Sequence, residues 1–238
     1  MNVETTAALF RRQGGEFLIP AEALAWKLAG VRAYLFDWDG VFNSGAKHDD
    51  GASKFSEPDA MGTNLLRFGH WLMGGELPYV AVVTGEHNPG AQRLAAREHF
   101  HAVYSRAKNK ADALNHLCAD AGLRPDEVAF VFDDVLDLSV ARVAGARFMV
   151  NRPGSPLLTQ HVRDAGMADY LTGCHGQSYA VREVCELVLG LRGIYGRAID
   201  SRVAWSDEYR RYLAQRSGVT PQAWAWDGAA FASRPAMA

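Results

Sequence analysis

From Val31 onward the chain alternates short apolar runs with amphipathic stretches, the pattern of a parallel sheet whose strands are covered by helices on both faces. Strands are expected at Arg32–Asp37, Tyr79–Thr84, Ala102–Ser105, Val128–Asp133, Ala146–Val150 and Tyr170–Thr172. Helices are expected between them, at Asp59–Leu72, Pro89–His99, Lys110–Ala121, Asp137–Ala144, Pro156–Ala165 and Tyr179–Leu191. Right-handed crossovers would make this a doubly wound, Rossmann-like α/β sheet. Two segments fall outside the alternation. Residues 1–30 contain a helix at Ala21–Leu28, with Pro20 at its start. Residues 192–238 hold an amphipathic helix over Ser201–Arg216, carrying Trp205, Tyr209, Tyr212 and Leu213, and then a small-residue tail that is expected to be disordered. That helix would dock on its own core or on a neighbouring subunit. The expected organisation is an extension (1–30), a core (31–191) and a helical extension with tail (192–238).

Bulk properties narrow the partners. A chain of 238 residues that is 48% hydrophobic can bury one substantial core, and a formal net charge of -2 gives no general attraction to nucleic acid or anionic lipid. A small molecule fits better. Cys118, Cys174 and Cys185 show no C-x-x-C spacing, so buried reduced thiols are expected rather than disulfides or a zinc site. With neither a signal-peptide pattern nor a long apolar run, the reading is a cytoplasmic protein.

Chemistry gathers at the predicted strand ends. The first strand ends in Asp37-Trp38-Asp39-Gly40, two carboxylates at the carboxyl edge, where open α/β sheets bind ligands. Its plain alternative is a turn. The second ends in Thr84-Gly85, a hydroxyl and flexible backbone amides, followed by Glu86, His87 and Asn88; His87 is the one histidine of eight placed to reach a substrate. Lys110 opens a helix, where a cation opposes the macrodipole by about 0.3–1 kcal/mol unless it holds an anion. The fourth strand ends in Asp133-Asp134, with Asp137 following, hard oxygen ligands that suit magnesium; helix capping by Asp134 or Asp137 is the competing reading.

The ordered set Asp37-x-Asp39, Thr84, Lys110, Asp133-Asp134 resembles the four motifs of haloacid dehalogenase superfamily phosphatases. FLIPAEAL, FDWDGVFNSG and SYAVREVCELVL resemble the 3-deoxy-D-manno-octulosonate 8-phosphate phosphatase branch, over roughly Glu16–Leu191. The resemblance implies a capless fold with a short hairpin after the first motif, here Asn43–Phe55, closing a neighbour's site in a tetramer. It implies a magnesium-dependent phosphomonoester hydrolase for a small sugar or sugar-acid phosphate. Asp37 would be the nucleophile and Asp39 the acid and base. Thr84 and Lys110 would hold the phosphoryl group, and Gly85, Glu86, His87 and Asn88 would meet the substrate. Asp37, Asp39 (through its carbonyl), Asp133 and Asp134 supply the metal site. The chain departs from that branch at Glu86, where a cation is common, at Phe132, where glycine is usual and bulk is expected beside the metal, and at Trp38. Alternatives are a phosphatase for another nonulosonate, nucleotide or polyol phosphate, or a non-catalytic ligand-binding descendant.

Overall fold

The computed structural model describes residues 2–48 and 53–234. In chain order the elements are α1 (Val3–Arg12), β1 (Glu16–Phe17), α2 (Ala21–Ala29), β2 (Ala33–Asp37), α3 (Glu57–Gly74), β3 (Tyr79–Val83), α4 (Pro89–Glu98), β4 (Ala102–Ser105) and α5 (Lys110–Ala121). They continue with β5 (Val128–Phe132), α6 (Leu138–Ala141), β6 (Ala146–Met149), α7 (Pro156–Asp164), β7 (Tyr170–Leu171), α8 (Ala180–Leu191), α9 (Tyr195–Val203), α10 (Asp207–Ser217), β8 (Gln222–Trp226) and β9 (Phe231–Arg234). The strands form one sheet in the order β1-β7-β6-β5-β2-β3-β4-β8-β9, parallel except for the outermost pairs β1–β7 and β8–β9.

Every residue of β2 and β5 is buried, which explains why these strands read as continuous apolar runs. Successive side chains serve opposite faces. Tyr34, Phe36, Val80, Val82, Ala129 and Val131 join the core under α1–α4 and α8–α10. Leu35, Ala81, Val83, Phe130 and Phe132 join the core under α5–α7. Because β3 and β5 flank β2 on opposite sides, the chain reverses direction across the sheet at β2, and the carboxyl end of β2 is a topological switch point.

Phe132 stacks on Phe130 with ring centroids 5.4 Å apart, inside the second core. The bulk expected beside the metal site is therefore spent on packing, since residue 132 and residue 133 face opposite ways along a strand. The helix expected over Asp137–Ala144 is shorter, a single 3-10 turn at Val135–Asp137 leading into α6.

The largest differences lie in the last segment. The expected continuous helix over Ser201–Arg216 is broken into α9 and α10. Trp205 sits at φ 50 in the break, and Ser206 starts α10 afresh by accepting a hydrogen bond from the Tyr209 amide. Tyr209 and Tyr212 pack on Phe68 of the chain's own α3, with centroids 5.0 and 5.1 Å away, so this segment docks on its own core. Nor is the tail disordered through residue 234. It makes a β-hairpin in which β8 pairs in parallel with β4, from Ala102↔Gln222 to Ser105↔Ala225. Alternating Ala223 and Ala225 are buried, and Gly228, at φ 114, lets the turn close around the Asp227 carboxylate, which accepts from the Ala229 and Ala230 amides. This segment is ordered because Trp224 packs on His116 and Phe231 on Tyr104, a surface that only the folded sheet creates, while Trp226 packs on Phe231 across the hairpin.

Candidate active site

Four loops leave the carboxyl edge of β2, β3, β4 and β5 and wall a cleft of about 710 Å³. Asp37, Asp39, Thr84, Gly85, Glu86, Lys110 and Asp134, all anticipated from sequence, line it together with Asp137, Lys108, Val135, Leu136 and Arg152. Residues as far apart in the chain as Asp37 and Asp137 thus meet because they follow neighbouring parallel strands.

Asp37 is 4% exposed and Lys110 equally so, and the Lys110 ammonium donates to Asp37 Oδ1 and Asp137 Oδ1, at 2.5 Å each. Burial alone would lower the lysine's pKa, but the two carboxylates outweigh it and hold the ammonium above its ordinary range. The cation at the start of α5 therefore has its anions. Asp37, Asp133 and Asp137 form a buried trio whose oxygens lie within 4.8 Å of one another.

The trio is electrostatically incomplete. Burial, then the charge of Asp37, pushes Asp133 well above the usual carboxylate range, against the opposing pull of Arg152. Asp137 is raised by burial and by Asp37, with Lys110 opposing. Arg152 Nη2 approaches Asp133 Oδ2 at 2.7 Å, yet neither Asp133 oxygen receives a hydrogen bond of acceptable geometry. Thr84 Oγ1 is likewise buried without a partner. Buried oxygens without donors cost about 1–3 kcal/mol each, so these mark positions for a ligand. Three hard carboxylates, one with both oxygens unclaimed, fit a divalent cation.

The remaining expected residues fall in different places. Asp39 turns from the trio: its Oδ1 accepts from Ser53 Oγ at 2.7 Å and its Oδ2 lies 2.9 Å from Lys47. Asp134, expected among the metal ligands, also stands outside, since it caps the following turn through the Val135 amide and pairs with Arg152 Nη1 at 2.7 Å. Asp137 takes the third position instead, and its Oδ2 accepts from the Asp134 amide at 3.1 Å, fixing the loop that carries Asp133. Asn88 is 1% exposed and donates to Ser53 Oγ at 2.8 Å, so it braces the site rather than facing the cleft. His87 is exposed and lines an adjoining groove instead.

Trp38 earns its size in this bracing. It is fully buried, stacks on Phe42 at 5.1 Å, and its indole N–H donates to Ser53 Oγ at 2.8 Å. Ser53 thus collects two donors and passes its own hydrogen to Asp39. Gly40 sits at φ 91, where a Cβ would lie 2.0 Å from Asp133 Oδ2, so the D-x-D-G glycine is required by the close approach of β2's loop to Asp133. Of the hairpin expected at Asn43–Phe55, residues 49–52 lie outside the described residues. Arg152 and Ser53 were not anticipated; an arginine beyond the end of β6 and a lone serine carry no motif that would single them out.

The sequence is 27% identical over 179 residues to the 3-deoxy-D-manno-octulosonate 8-phosphate phosphatase of Escherichia coli K12, covering 74% of this chain and 87% of the relative. A Legionella pneumophila hydrolase assigned to the haloacid dehalogenase superfamily, subfamily III A, superposes with TM-score 0.63 at 26% identity, over 76% of this chain and 94% of that one. The 3-deoxy-D-manno-octulosonate 8-phosphate phosphatase of Moraxella catarrhalis, solved with magnesium, phosphate and KDO, shares the fold with TM-score 0.62 at 24% identity, over 75% and 97%. No family model matches the chain. Fold, sequence and clustered strand-end residues together liken this chain to haloacid dehalogenase superfamily phosphatases, and among them to the 3-deoxy-D-manno-octulosonate 8-phosphate phosphatase branch.

Proposed function

We propose that the cleft hydrolyses the phosphomonoester of a small sugar or sugar-acid phosphate, with magnesium as cofactor and an aspartyl-phosphate intermediate. The observation that carries this reading is the buried Asp37–Lys110–Asp137 contact beside the unclaimed oxygens of Asp133 and Thr84. A carboxylate and an ammonium that neutralise each other need nothing more; the additional orphaned oxygens call for a cation and an anion together. Magnesium would be held by Asp37 and Asp133, with the Asp39 carbonyl and Asp137 close by, and when bound it supplies charge neutralisation between the nucleophile and the phosphoryl oxygens.

Asp37 attacks phosphorus in line, and the P–O bond to the sugar breaks as the new P–O bond forms. Asp39, held by Ser53 and Lys47 on a separate hydrogen-bond path, gives its proton to the departing alkoxide and afterwards takes one from the attacking water. Water then displaces Asp37 from phosphorus, releasing phosphate. Lys110 and Thr84 hold phosphoryl oxygens during both transfers. The division of labour requires the two aspartates to be differently partnered. Asp37 shares a lysine with Asp137, whereas Asp39 is a quarter exposed at its side chain and reaches the cleft.

The open cleft favours small substrates, with a second copy of the chain fencing it. Val135 and Leu136, 60% and 58% exposed at the rim, suit such a cover, and the expected assembly is a homo-oligomer, a tetramer by resemblance. No helix among the described residues is long and apolar enough to cross a membrane. The test is magnesium-dependent release of phosphate from p-nitrophenyl phosphate. Asp37→Asn should reduce it by about 10⁴–10⁶-fold, the range seen when a member of a covalent catalytic set is removed. Wild-type protein without activity, or a variant that retains it, would refute the proposal.

A further inference from the structure

Beyond β6 the chain continues as Val150-Asn151-Arg152, and its backbone there is fixed at three points. The Asn151 amide donates to Thr172 Oγ1 at 2.9 Å, the Asn151 carbonyl accepts from His175 Nδ1 at 3.1 Å, and the Arg152 carbonyl accepts from the Ser155 amide at 2.9 Å. Any movement of Arg152 therefore belongs to its side chain. That side chain is one-third exposed and reaches across the cleft wall to the loops after β2 and β5. Two glycines of the β2 loop leave room for its tip: a Cβ on Gly40 would stand 2.6 Å from Arg152 Nη2, and one on Gly45 would stand 3.4 Å from it.

The two ends of the guanidinium are held unequally. Nη1 donates a hydrogen bond to Asp134 Oδ2 at 2.7 Å, and Asp134 is itself fixed, since its Oδ1 accepts from the Val135 amide at 2.7 Å. Nη2 comes as close to Asp133 Oδ2, 2.7 Å, but not in hydrogen-bonding geometry, so that among the described residues neither Asp133 oxygen has a hydrogen-bond partner. Charge draws this end in; direction does not hold it. Asp133 is at the same time one of the three buried acids that fit a divalent cation. The charges of the site show which state suits that ion. Asp37, Asp133 and Asp137, set against Lys110 and Arg152, leave one net negative charge, whereas the same trio against Lys110 alone leaves two, the number a divalent cation neutralises.

We propose that Arg152 is a displaceable counter-charge of the metal site, anchored at Asp134 by Nη1 and yielding Asp133 at Nη2 to the divalent cation, so that its charge sets how tightly the ion binds. The inference rests on the metal-dependent phosphatase reading of the cleft and adds a control on metal affinity. It also gives Asp134 a role outside the metal site, as the post on which the arginine turns. Arg152 is a positioning residue and takes no part in the reacting bonds. The consequence is a sign. A partner that only aims a metal ligand is needed by the ion, and its loss weakens binding, by about 10–100-fold. Loss of a counter-charge does the opposite, because it removes both a competitor for Asp133 and a repulsion felt by the ion.

Titration of the full-length, chelator-treated protein with Mn2+, with the free ion read by electron paramagnetic resonance and magnesium added as competitor, measures this without turnover. Arg152→Gln should bind both ions about tenfold more tightly than the wild type. The same magnesium concentration should then raise the melting temperature of the variant further than that of the wild type. Arg152→Lys keeps the charge and should lie nearer to the wild type than the glutamine variant does. Asp134→Asn should weaken ion binding in the wild-type background and do so by less once Arg152 is Gln, because part of its effect passes through the arginine. Should Arg152→Gln melt early in chelator, Arg152→Met takes its place. Ion binding that is unchanged or weaker in the uncharged variants overturns the counter-charge and leaves the phosphatase standing. Wild-type protein that takes up neither ion, and releases no phosphate from p-nitrophenyl phosphate, overturns the cleft reading and this inference with it.

Discussion

Buried carboxylates in two regions of this molecule are treated in opposite ways. At the β6–β7 side of the sheet, Asp169 is fully buried and receives Lys27 Nζ, the Arg147 amide and the Arg147 guanidinium, at 2.7–3.2 Å. Glu183 in α8 accepts from Tyr170 Oη, the Gly173 amide and the Cys174 amide, at 2.7–2.9 Å. At the carboxyl edge of β5, Asp133 is equally buried, and apart from the 2.7 Å approach of Arg152 its oxygens receive no hydrogen bond. Burial of an acid is therefore not by itself a sign of chemistry. The sign is burial with the oxygens left open, because a folded chain has no reason to bear that cost unless a ligand relieves it.

The contrast breaks most sharply on paired substitutions. Asp133→Asn should lower magnesium-dependent turnover by roughly 10²–10³-fold, and yet should leave the metal-free fold at least as stable, within about 1 kcal/mol, because the site without metal already disfavours the charged form of this buried acid and a neutral amide costs it little. Activity assays and thermal melting in a chelator check the two halves; a destabilised, metal-free Asp133→Asn would remove the distinction drawn here. Glu183→Gln should do the reverse. It sets an amide against backbone donors that now bond a carboxylate, and should cost about 2–3 kcal/mol on denaturant titration, while kcat of the folded fraction stays within a factor of two.

The opposite edge of the sheet sharpens the comparison through pH. His70 and His101 are half-buried there, and the desolvation of each ring lowers its pKa to about 4. His101 Nδ1 accepts from the Val80 amide at 3.0 Å and must be neutral to do so, and His70 Nδ1 meets Tyr34 Oη at 3.3 Å. With folded values below the ordinary 6.5, the unfolded chain binds the protons first, so stability falls as pH drops from about 6.5 towards 4. Each ring should contribute about 1–2 kcal/mol of that loss by pH 5. Asp59, raised to about 6 by burial, acts in the other direction: its contribution is full below about 3.8 and fades as pH rises through 6, partly offsetting the histidines. Replacing His101 by Gln should flatten the acid side of a stability–pH curve measured at fixed denaturant, and an unchanged slope would show that the ring is not buried neutral.

How much of this was legible beforehand follows from where the information resides. The clustered set was readable because Asp37, Thr84 and Asp133 each follow an apolar run that forms a strand, and Lys110 stands where a helix would rather have an anion. The choice between Asp134 and Asp137 was not readable, since both follow β5 closely and only the tight turn at Val135–Asp137 brings the later residue back towards Lys110. Arg152 and Ser53 were invisible for a similar reason, their roles being defined by residues that are far away in sequence. The C-terminal hairpin was missed because alanines and glycines have weak strand propensity, and their pairing is dictated by the open edge of β4.

The smallest effect expected is also the one that tests the brace behind the site. Ser53 lies between Trp38, Asn88 and Asp39, receiving two hydrogen bonds and donating one. Ser53→Ala deletes the donor that holds Asp39 Oδ1 while leaving Lys47 at Oδ2, so Asp39 remains in the cleft but is less well aimed. Proton transfer depends on alignment more steeply than binding does, and loss of one neutral hydrogen bond of about 1–1.5 kcal/mol corresponds to roughly a tenfold fall in kcat with KM nearly unchanged. Leaving groups that need no proton, such as p-nitrophenolate, should mute the effect on the first transfer, whereas alkyl phosphates should show it in full. A Ser53→Ala enzyme equally impaired on both would mean that the serine supports the fold of the loop and not the aim of Asp39.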